Sequence, residues 1–153
     1  MFGDTDDRTT LNTLLATLTD SINGYRDSAE NIEDGRLKQL FLESAEERSR
    51  VAEDLRTEVR RLGLHDPNDD GSIMGKTHQV FLDLKAAVTG RDDKAIINEV
   101  ERGEDYLKEK FEAALQSDKL AGETRDVVER AFTSVRRGHD RIAEIKHRMD
   151  AGA

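Results

Sequence analysis

Residues 11–32 read LNTLLATLTDSINGYRDSAENI, and their spacing decides the fold. Leu11, Leu15, Leu18, Ile22, Tyr25, Ala29 and Ile32 recur at alternating steps of four and three. A helix gathers residues at those steps onto one stripe, and a stripe this regular is the a/d seam of a helical bundle. Thr9 or Thr10 is expected to cap the start by accepting a bond from a free N–H of the first turn. Gly35 is expected to break the helix by taking a positive φ.

The same spacing continues outward. A second helix is expected from Arg36 to Leu62 on Leu37, Phe41, Ser44, Arg48, Val51, Leu55, Val59 and Leu62, and Gly63 ends it. The short connection at Gly35 makes these two helices antiparallel neighbours. After the polar turn around Pro67, a shorter helix is expected over Ile73–Val88. Asp92 is a natural N-cap for a long helix over Asp93–Leu115, on Ile96, Val100, Gly103, Leu107, Phe111 and Ala114. A turn over Gln116–Glu123 leads to the last helix, on Val128, Ala131, Val135, His139, Ile142, Ile145 and Met149. No strand-like alternation competes. The expected fold is all-α: a four-helix bundle of two antiparallel hairpins, joined by a crossover that carries the short extra helix.

Composition supports one domain over 1–153, with residues 1–8 and 150–153 expected to fray. Charged residues make up 37% of the 153, and a single Pro in that length favours helix. The net charge of −9 argues against nucleic-acid binding, which needs clustered Lys and Arg. The chain has no Cys, which removes disulfides, thiolate metal sites and a Cys nucleophile. No apolar run is long enough for a membrane span, and Met1–Arg8 does not read as a signal peptide, so a cytoplasmic protein is expected.

Several pieces of the sequence carry a resemblance. They are Leu11-Asn12 with Gly24-Tyr25, Glu47-Arg48, Gly71-Ser72 with Gly75 and His78, Lys85 with Thr89-Gly90, Glu101-Arg102-Gly103-Glu104-Asp105, and His139-Asp140-Arg141-Ile142. Together they resemble an uncharacterised bacterial family of ferritin-like four-helix bundles, distantly similar to bacterioferritin and rubrerythrin. The resemblance implies a ferritin-like fold, a stress-associated role and a place to look for metal.

A ferritin-like di-iron centre takes a Glu from each of two helices and Glu-x-x-His from each of the other two. Two irons need carboxylate bridges and imidazoles that converge on one point. By the resemblance, the ligand position on the first helix falls at Leu18 or Ile22, and neither side chain can coordinate. Three candidate ligands remain: Glu47, Glu104 and His139. The residue three after Glu47 is Arg50, and the residue three before His139 is Arg136, so neither is completed into the motif. Arg is permanently cationic and does not ligate. The alternative reading of these groups is a polar layer inside the bundle, in which Arg48 pairs with Glu101 or Glu104 and His139 and the Tyr25 hydroxyl complete the network.

Other motifs carry less. Gly71–Thr77 is one residue short of a phosphate loop and has no preceding strand. His78 reads as a half-buried helix residue, His65 and His147 as solvated, and Asp69-Asp70 lacks the oxygen spacing of a calcium loop. The last helix carries seven basic against five acidic residues, a solvated face and not a nucleic-acid stripe. The expected function is therefore non-catalytic: a scaffold or interaction module, with no cofactor and with a homodimer or another protein as its partner. The rival is a divergent iron or di-metal oxidase, or a storage protein, on Glu47, Glu104 and His139.

Overall fold

The computed structural model describes residues 2–63, 92–117, 120 and 122–152, with side chains from Arg8 onward. The described residues form four helices and no strand: α1 (Phe2–Asn31), α2 (Gly35–Arg61), α3 (Asp93–Gln116) and α4 (Gly122–Gly152). The expected short helix over 73–88 lies outside them, as do His65, Asp69-Asp70, the 71–77 loop and His78.

The helix ends follow local chemistry. Asp34, not Gly35, makes the break between α1 and α2. Its backbone is extended and its carboxylate accepts from the N–H groups of Arg36 and Leu37, so Gly35 begins α2 without a positive φ. Asp92 caps α3 as expected, accepting from Lys94 N–H. Gly63 ends α2 at φ 74°, where a residue with a Cβ would be strained. Thr9 and Thr10 do not cap the start of α1, because the helix already begins at Phe2. The far end of α4 also stays helical to Gly152, where Lys94 pairs with Asp150 and ties it to α3.

The connectivity follows from which residues meet. α1 packs on α2 and α3, and α4 packs on α3 and α2. Along α1 and α3 the pairs run in opposite order, Glu33 with Asp93 and Tyr25 with Glu104. Along α2 and α4 they do so again, Glu47 with Ser134 and Glu58 with Thr124. So α1 is antiparallel to both neighbours, while α2 and α3 run the same way. The end of α2 and the start of α3 therefore lie at opposite ends of the molecule.

The seams meet in a common core. Leu11, Leu15, Leu18, Phe41, Leu55, Ile96, Leu107, Phe111 and Val128 are fully buried. Burial of each such side chain is worth about 1.5–3 kcal/mol against exposure. Tyr25 tilts against Phe41, and Phe111 stacks on Phe132. No described helix is long and apolar enough to cross a membrane.

Candidate functional site

At mid-height the apolar core is interrupted by one polar layer. Arg48 and Glu104 are each only 2% exposed. Arg48 sits on the buried seam of α2, between Ser44 and Val51, so its helix aims it inward. Its Nη2 lies 2.9 Å from both Glu104 oxygens and 3.5 Å from the Val135 carbonyl, and its Nη1 donates to Ser21 Oγ at 2.7 Å. The guanidinium also lies 5.6 Å from the centroid of the Tyr25 ring. One α2 side chain thus touches α1, α3 and α4. The Tyr25 hydroxyl donates to Glu104 and completes the layer.

Electrostatics hold the layer in one state. Burial is the largest single effect on Arg48 and opposes its charge, but attraction to the Glu104 carboxylate, the bond to it and the nearby Tyr25 and Glu47 together outweigh burial, and the guanidinium pKa is raised. Burial, then the Glu104 carboxylate, pushes the Tyr25 hydroxyl well above the ordinary tyrosine value, so it stays a neutral donor at physiological pH. Removing two charges from water is costly, and the Glu104 contacts and the Ser21 bond offset that cost.

The sequence-derived candidates separate here. Tyr25, Arg48 and Glu104 come together, and of the two Glu partners read for Arg48 it is Glu104 that bonds it. Glu101 lies one turn away and accepts from Lys146 of α4 at 2.9 Å. That bond, more than burial, decides the Lys146 pKa, which is raised. His139 does not join the layer. Its ring lies 2.6 Å from Asp105 and 3.2 Å from Asp140, at the half-exposed edge between α3 and α4. Glu47 is also elsewhere, accepting from the Ser134 hydroxyl across the α2–α4 interface.

Sequence reasoning missed two members. Ser21 is one, a buried polar residue on α1 beside Ile22. The other is Gly138, the buried residue that takes the seam position expected for His139. The steps Val128, Ala131, Val135, Gly138, Ile142 keep the three-four alternation, which His139 breaks; that regularity was the available signal.

A metal centre does not fit this donor set. Glu104 is held by a permanent cation, which would repel a second one. Glu47, Glu104 and His139 each bond a different group, and no three His, Asp or Glu side chains among the described residues are grouped for a metal. A Glu-x-x-His spacing does occur at Glu144–His147, near the end of α4. Glu144 is 68% exposed and pairs with Arg148, and His147 is exposed too, so the motif faces away from the core.

Set beside known families, residues 6–117 match the model of a family described as Domain of unknown function (DUF2383). The match covers most of the chain, and the chain belongs to that family. It carries Tyr25, Arg48 and Glu104 but stops short of α4 and Gly138. No curated protein matches the chain.

Proposed function

We propose that this DUF2383 member is a ferritin-like four-helix bundle that works without a metal centre, as a non-catalytic scaffold or interaction protein of the cytoplasm. The connectivity supports the fold part of this reading. Parallel α2 and α3 between antiparallel hairpins call for one long crossover, the arrangement of ferritin-like bundles. The observation that carries the functional part is the Arg48–Glu104 pair. The mid-bundle level, where carboxylates and imidazoles would have to converge on iron, is taken by a guanidinium, and the best-placed carboxylate is committed to it. The association with stress comes from the ferritin-like resemblance. A homodimer or another protein is the partner this role calls for.

The test is oxidation of ferrous iron in air, followed by ferric absorbance with and without protein, alongside elemental analysis of the purified chain. No stoichiometric iron and a rate equal to the buffer blank are expected. Saturable, protein-dependent oxidation that disappears in Glu104→Ala would replace this reading with a divergent metal oxidase or storage protein.

A further inference from the structure

We propose that Gly138 is a built seat for the Arg48 guanidinium, and that this seat sets the register at which the α1–α2 hairpin docks on α3 and α4. The inference does not depend on the non-catalytic reading. A Cβ added at Gly138 would fall inside 3.0 Å of Arg48 Nη2, 3.5 Å from its Cζ and 3.6 Å from Glu104 Oε2. The atom in the way is the end of a flexible side chain, but here that end is pinned. Moving it means giving up the Glu104 contacts, the Ser21 bond or both.

The backbone at Gly138 does not itself call for glycine. The positive-φ glycines among the described residues are Gly63 and Gly122. Gly in a helix interior is destabilising relative to Ala, so its use here needs another reason, and the guanidinium supplies one. The arrangement is also directional. Within one turn on either side, from Ser134 to Ile142, every other residue of α4 carries a Cβ. Slipping α4 by one residue would set Arg137 or His139 against the Arg48 charge, and slipping it by a turn would set a branched or polar side chain there. A planar guanidinium bonded on three sides fits the seat at a single register. A buried polar group that fixes helix register is a known use of such groups, though not a universal one.

The experiment is a double-mutant cycle read by urea midpoints on the full chain. In the native background, Gly138→Ala is expected to lower the midpoint. In the Arg48→Met background it is expected to raise it or leave it unchanged, because the seat is then unused and Ala is the better helix former. The sign of the Gly138→Ala effect should therefore depend on Arg48. The same loss in both backgrounds, or no loss in the native one, would overturn the proposal. If Arg48→Met does not fold, Arg48→Lys replaces it, because the lysine ammonium ends short of the atom that the new Cβ would meet. A general packing role for Gly138 predicts equal losses in the native, Arg48→Met and Arg48→Lys backgrounds, so the cycle separates the two explanations.

Discussion

Arg48 and Glu104 are buried to the same degree and hold each other, so removing one strands the other's charge. Arg48→Met is expected to cost about 3–5 kcal/mol by that mechanism. Arg60→Met removes a charge that is 56% exposed and is expected to cost less than about 1 kcal/mol. Adding Glu104→Gln to Arg48→Met should recover part of the loss, because residues in one network do not add. Adding Glu101→Gln should not, because Glu101 bonds Lys146. Urea midpoints at one pH decide it, and an unmoved midpoint for Arg48→Met would mean the layer contributes nothing. Much of this was legible in the sequence. A charged residue on an apolar seam announces a buried partner, and Arg48 is such a residue. The sequence narrowed the partner to two carboxylates one turn apart, and α3's rotation, which sequence spacing fixes only loosely, chose between them. The inward position on α4 lies one residue away from His139. A ring with two nitrogens draws attention that the seam rhythm assigns to Gly138.

Between elements, the connections depend on carboxylates that accept backbone N–H groups. Asp93 accepts from Glu33 and Asp34 at 2.9 and 3.0 Å, so the first residue of α3 holds the turn between α1 and α2. No periodicity reveals such a bond, since it joins residues sixty apart, and that is why spacing alone assigns the turn to Gly35. The opposite end has a matching clasp. Glu58 of α2, 4% exposed, accepts from Arg61 on its own helix and from Thr124 of α4 at 2.6 Å. The Arg61 bond, together with Thr124, lowers the Glu58 pKa from 4.5 despite its burial. A pKa lowered on folding gives stability that is present above the unfolded value and lost as pH falls through the folded one. Thr124→Val leaves Glu58 one donor short and is expected to cost about 1 kcal/mol near neutral pH. The difference from the native chain should shrink as pH falls below the ordinary Glu range and on through the lowered Glu58 pKa, once Glu58 is neutral in both. Urea midpoints across that range test it, and a deficit that persists undiminished in acid would assign the loss to packing at Thr124 instead.

For the molecule as a whole, the question is whether four seams leave anything for another copy to cover. Each seam of the four described helices finds its apolar partner inside the chain, in one core that runs from Leu11 to Ile142. The large hydrophobic side chains exposed among the described residues are Leu42 on α2 and Tyr106 on α3. Isolated apolar residues of this kind are ordinary on a monomer and do not form the broad patch that a cage interface requires. The net charge of −9 adds repulsion between copies at low salt. A monomer or a weak dimer is therefore expected in solution, and not a ferritin-like cage of about twenty-four subunits. Light scattering at low and at physiological salt measures this directly. Screening is expected to increase any dimer modestly, because the Debye length shortens to about 8 Å at physiological ionic strength. A mass of many subunits, unchanged by salt, would mean that the helices present a contact surface that neither their seams nor their exposed residues account for.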